Sequence, residues 1–168
     1  MIYNFIFIDA SIIGMERYKQ IGKRKKFSKE LSDKYDDPAR SRIKEVLGNA
    51  VIDNPNPKGA DMLIVHPGTK HKYLELQICS NWFGNRFPYD KVYIFARKLV
   101  NHGPDTLFLV MNRPMDRGYL FSIDDNDFKF LKKRRLKKWS REWVYDIPWH
   151  MCMECTVDDL DTFTLEIL

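Results

Sequence analysis

The chain has 168 residues and a net charge of +5, with 44% hydrophobic and 14% aromatic residues. That length and apolar content fit one globular domain with a buried core and exclude a disordered tail. The basic balance points to a polyanionic partner, and three cysteines exclude a disulfide framework, in keeping with an intracellular (cytoplasmic or nuclear) protein.

Residues 1–8 are apolar, but no basic stretch precedes them and Asp9 interrupts the run, so a strand or buried segment is expected and no signal peptide or membrane span. A short basic loop follows at 23–26, then a polar helix over 28–35. Asp37-Pro38 reads as an N-cap with an N1 proline and Gly48 as a stop. Between them Ala39, Ile43, Val46 and Leu47 form one apolar helical face. A strand at 50–53 ends in Asn54-Pro55-Asn56-Pro57-Lys58-Gly59, a run of turn formers.

Asp61 then heads the apolar run Met62-Leu63-Ile64-Val65, and Tyr73-Leu74-Glu75-Leu76-Gln77-Ile78 alternates with period two. The turn chemistry of residues 66–71 makes the pair a β-hairpin. The pleat places Tyr73, Glu75 and Gln77 on one face. Two carboxylates converging from adjacent strands make a hard-oxygen site suited to Mg²⁺ or Mn²⁺, able to hold a phosphate and activate water.

Beyond an aromatic, irregular stretch with Trp82, Phe83, Phe87 and Tyr89, Pro88 is expected to open a helix whose stripe is Val92, Phe95, Ala96 and Leu99. Those aromatics suit either base stacking or a core. Residues 106–111 form a continuous apolar run of the kind buried on both faces of a sheet. A turn and a strand at 119–123 follow. From Asp127 a basic helix is predicted, with Leu136, Trp139 and Trp143 on one side. Residues 129–141 carry eight of the 28 basic residues and no acid; without them 20 basic face 23 acidic residues, so the basicity is local. Lys132, Lys133, Arg134, Arg135, Lys137 and Lys138 are the candidate phosphate contacts, with a nuclear-localisation signal as an alternative use. His150, Cys152 and Cys155 are too few for a structural zinc without distant Cys79. Residues 162–167 alternate like a closing strand.

From Asp37 to Ile123 the expected order is helix, three strands, helix, two strands. With Asp61 leading one strand and Glu75-Leu76-Gln77 on the next, fourteen residues on, this resembles the restriction-endonuclease-like superfamily, the PD-(D/E)XK nucleases. The resemblance implies an α/β (α+β) domain with a central mixed sheet flanked by helices, here with a C-terminal basic helix. It also implies a nuclease hydrolysing phosphodiester bonds of DNA or RNA. Asp61, Glu75 and the Leu76 carbonyl would hold Mg²⁺ or Mn²⁺, and Gln77, in place of the usual lysine, would orient water. The absent cation is sought at Lys91, since a migrated lysine occurs in some branches, including cap-snatching viral endonucleases. The glutamate many members place early in the first helix has no match at Arg40 or Ser41. Alternatives are an inactive nuclease fold that binds nucleic acid, or an interaction protein docking through its basic helix. No membrane partner is expected, and a homodimer remains open.

Overall fold

The computed structural model describes residues 29–99, 103–136 and 142–167. The apolar N-terminal segment, the basic run 23–26, Lys137, Lys138 and Trp139 lie outside them. The described chain is mixed α/β: a six-stranded mixed sheet, a three-stranded sheet and a few short helices.

Helix α1 (Lys29–Leu31) passes through a π-helical turn (Ser32–Asp36) directly into α2 (Asp37–Leu47). The sequence predicts a break at Asp37-Pro38. Pro38 has no N–H to continue an α-helical ladder. Instead the Asp37 N–H donates to the Ser32 carbonyl, five residues back, and the wider turn carries the chain past the proline. Helix α2 buries Ala39, Ile43 and Leu47 on the sheet and ends at Gly48, whose φ of 54° a side chain would strain.

The large sheet runs β1 (Val51–Asp53), β2 (Met62–Ile64), β3 (Tyr73–Ile78), β5 (Thr106–Met111), β6 (Arg117–Ser122) and β9 (Met153–Thr156) in spatial order. Strands β3 and β5 are parallel and every other pair is antiparallel. The predicted hairpin is β2–β3, and all six residues of β5 are buried.

The β3-to-β5 crossover holds β4 (Val92–Phe95) and a 3₁₀ turn (Ala96–Leu99), where a helix is predicted. Tyr93 and Ile94, off the supposed helical stripe, are as buried as Val92, so both faces are apolar and the aromatic, β-branched run takes the strand. Strand β4 joins a second sheet with β8 (Trp143–Ile147) and β7 (Lys132–Arg135), in the order β4-β8-β7. The predicted basic helix is therefore a basic edge strand. Asp124 caps only a one-turn helix α3 (Asp125–Phe128), accepting the Asn126 and Asp127 N–H groups. Cations suit an unpaired edge because they discourage further strand addition.

The last segment is helix α4 (Thr162–Ile167), not a strand. Asp161 accepts both the Thr164 N–H and its hydroxyl, capping the turn, and Leu165 is buried. Two cores result. One packs Ile43, Leu47 and Leu165 on one face of the large sheet, and the other packs Trp82, Ile94, Val144 and Ile147 against Phe108 and Phe121 on the other. Helices thus cover one face and the small sheet covers the opposite one. Among the described residues no helix is long and apolar enough to cross a membrane.

Candidate active site

Asp61 stands just ahead of β2, held by the loop before it. The Asn54 amide donates to the Ala60 carbonyl at 2.9 Å, and a Cβ on Gly59 would come within 2.5 Å of that amide and push it off this bond. Strand β2 starts at Met62, opposite Leu74, and beyond that point no described strand covers this edge of β3. The Leu76 N–H, on this edge, donates to Asp61 Oδ2 at 2.8 Å. The Leu76 carbonyl leaves the strand on the same side.

Glu75 lies opposite Phe108 and Gln77 opposite Val110, so both face the small sheet. They are 4% and 3% exposed. Lys98, from the 3₁₀ turn after β4, reaches into this interface. Its ammonium contacts Glu75 Oε1 and lies 3.2 Å from Asp61 Oδ2. Burial pushes the Glu75 carboxyl up to about 8, opposed by the Lys98 charge and reinforced by Asp61. For Asp61 burial acts upward too, but the Lys98 charge and the Leu76 N–H outweigh it and hold the carboxyl low. Burial disfavours the Lys98 cation, yet the Glu75 and Asp61 carboxylates together raise its pKa. The two acids are pushed apart around one ammonium.

Asp36 adds a third carboxyl. The π turn brings it close enough to feel Lys98 and Asp61; burial raises its pKa, Lys98 opposes and Asp61 adds. A cavity of about 590 Å³, lined by Ser32, Arg40, Asn54, Gly59 and Asp61, opens onto Asp61 from the helix side. Among the described residues no three His, Cys, Asp or Glu side chains assemble into a metal-ligating group. The oxygens that do converge are those of Asp61 and Glu75, which are hard ligands of the type a divalent cation takes.

Two expected site residues are placed differently. The Gln77 amide donates from Nε2 to the Tyr93 carbonyl and accepts at Oε1 from the Phe95 N–H, both at 2.8 Å. Along β4 it takes the place of a neighbouring strand, with one bond at each end of the amide committed to backbone. Lys91 is exposed ahead of β4, and the cation that meets the two acids is Lys98. Lys98 and Asp36 escape sequence reasoning: the first looks like an ordinary cation on a helix, the second like the last polar residue before a cap.

On β7 the cations divide. Arg134 donates to Asp146 at 2.7 Å and lies over the Tyr93 ring, and Lys133 lies over Trp143 and Tyr145. Lys132 and Arg135 are exposed. Cys152 and Cys155 are thiols pushed up to about 12, mainly by burial, and the Cys152 thiol donates to the Pro148 carbonyl. No family model, no curated protein and no solved structure matches this chain.

Proposed function

We propose that the protein is a metal-dependent nuclease of PD-(D/E)XK type that hydrolyses phosphodiester bonds in DNA or RNA. The observation that carries the reading is the convergence of Asp61, Glu75 and Lys98 at the edge of β3. Further support is the order helix, three-strand meander, crossover and parallel strand around it.

Asp61, Glu75 and the Leu76 carbonyl would hold Mg²⁺ or Mn²⁺, which when bound polarises the phosphate and activates water. Asp61 would ionise ahead of Glu75, and Glu75 would release any proton it carries to solvent on becoming a ligand. Lys98, freed from the carboxylates, faces the phosphate oxygens and stabilises charge developing on them. The cations of β7 hold the neighbouring phosphates, and Gln77 positions Lys98 through β4 without touching substrate.

The test is cleavage of single- and double-stranded DNA and RNA in Mn²⁺. Asp61→Asn, Glu75→Gln and Lys98→Met should each lower the rate at least about 100-fold. Undiminished cleavage in all three would sink the reading. One observation favours a rival, a nucleic-acid binder without hydrolysis: Lys98 already pairs with both carboxylates. Binding without cleavage across metals and substrates would select it.

A further inference from the structure

A second cavity, of about 710 Å³, lies at the other end of the small sheet from the acid pair. Its walls are Phe87, Tyr89, Tyr119 and Trp149, with Arg86 and Glu154 among the polar groups. Behind them Trp82 stacks on Tyr119 at 5.4 Å between centroids and meets Phe87 edge-on at 5.1 Å. The Trp82 Nε1–H is buried there without a partner. At the rim, Tyr89 is 37% and Trp149 44% exposed, unusual for rings this size in so aromatic a cluster.

The rims are fixed in place. Trp149 Nε1–H donates to the Asp90 carbonyl at 2.8 Å, and the Tyr89 hydroxyl accepts from the Asn81 amide at 3.1 Å. Rigid, outward-facing aromatics over a buried aromatic floor form a stacking platform. The volume suits a nucleoside and far exceeds what an ammonium head group fills. The lining carries one cation, Arg86, and two carboxylates, Asp90 and Glu154, so selection rests on the aromatic walls and not on net charge.

The registers relate this cavity to the acids. Strand β4 pairs with β8 as Val92 with Ile147 and Phe95 with Val144; β7 pairs as Lys132 with Asp146 and Arg135 with Trp143. The Val92/Ile147 end adjoins Asp90 and Trp149, whereas the Phe95/Val144 end leads to Lys98. Strand β7 therefore lays its cations in order, from Lys132 on the cavity side to Arg135 on the acid side. Four residues at strand rise cover roughly 13 Å.

We propose that the aromatic cavity is a nucleobase subsite. It holds one base of a single-stranded nucleic acid whose phosphates follow β7 towards Asp61, Glu75 and Lys98. The inference rests on the nuclease reading for its substrate class, but base binding needs no hydrolysis and is measured apart from it. A duplex keeps its bases stacked inside, so a pocket that takes a base selects single strands.

The test uses the full chain carrying Glu75→Gln, with fluorescent oligothymidylate and an abasic strand of equal length. The base-bearing strand should bind about tenfold more tightly, the worth of one stacked base. Trp149→Ala and Tyr89→Ala should each remove that preference and leave the salt-sensitive abasic binding unchanged. Trp149→Phe, which keeps a ring, should retain it, so a misfolded alanine variant cannot imitate the result. Thymidine monophosphate should compete with the preference, and tetramethylammonium should not. Equal binding of both strands, unaltered preference in both alanine variants, or competition by tetramethylammonium alone overturns the proposal. Base preference in a protein that never cleaves sinks the hydrolysis and keeps the subsite; cleavage without base preference does the reverse.

Discussion

Glu75 and Gln77 are next neighbours on one face of β3, almost equally buried, and their surroundings have opposite consequences. Around Glu75 the hydrogen-bonding capacity is shared among side chains: a second carboxylate, an ammonium and one backbone N–H. Around Gln77 it is consumed by the β4 backbone, with both amide groups satisfied. A buried amide that bridges two backbone groups cannot turn away without stranding both. A side chain bonded to other side chains can exchange its partners. Depth of burial does not separate the two; the kind of partner does.

The sharpest way to break the comparison is to remove Lys98. Lys98→Met leaves Asp61 and Glu75 facing each other without a counter-charge, which should cost about 3–5 kcal/mol in urea unfolding. Adding Glu75→Gln should recover most of that, because one buried charge is then gone. An equal loss in the double variant would mean that the Lys98 stem, not its charge, holds the region.

Gln77→Leu comes next. It strands the Tyr93 carbonyl and the Phe95 N–H in an apolar interface, at about 2–3 kcal/mol by the same measurement. Because Gln77 positions Lys98 but touches no substrate, Gln77→Leu protein that remains folded should lose part of the rate, less than Lys98→Met loses. A rate loss as deep as that of Glu75→Gln would return Gln77 to the site and erase the distinction.

His71 is a third kind of buried polar group, with both ring nitrogens unpartnered. Burial holds its pKa below 6.5; Lys70 adds to this and Asp105 opposes it. The folded protein then binds fewer protons than the unfolded chain. Stability is complete above about pH 6.5 and falls as the pH drops below it, by at most about 1.4 kcal/mol per unit. His71→Leu should flatten that fall between pH 7.5 and 5.5, the values at which denaturation midpoints are compared. An unchanged slope would assign the acid sensitivity to other groups.

The smallest effect is expected on β7. Lys132→Ala with Arg135→Ala should weaken nucleic-acid binding and flatten the log–log salt dependence by roughly 1.4 units, at about 0.7 per phosphate contact on a single strand. Stability should barely change, since both side chains are exposed. Lys133 and Arg134, already engaged with rings and Asp146, should contribute less.

The hairpin was legible because its alternation has one period and its turn is short, and β5 because six apolar residues in a row suit only a doubly covered strand. The meeting of Asp61 with Glu75 follows from the same signals. Lys98 was not legible, because its position depends on how the crossover folds, and Val92, Phe95, Ala96 and Leu99 also satisfy a helical period. The π turn that delivers Asp36 arises from a conflict between Pro38 and the helix on either side, which marks a likelier break than a bulge. On β7 the cations, with Leu136 and Trp143, fit two periods at once, and pairing with β8 decides between them. For Gln77 the face was right and the neighbour was invisible, since only packing says that a backbone edge lies opposite.

The amide stitch at Gln77 also sets a length. It clamps the Phe95 N–H, and Lys98 follows only three residues later, with Ala96 and Leu99 buried on either side of it. The ammonium is thus on a short leash, pinned at its root by a neutral side chain from the strand that carries Glu75. Anything that slides the small sheet against the large one pulls that leash.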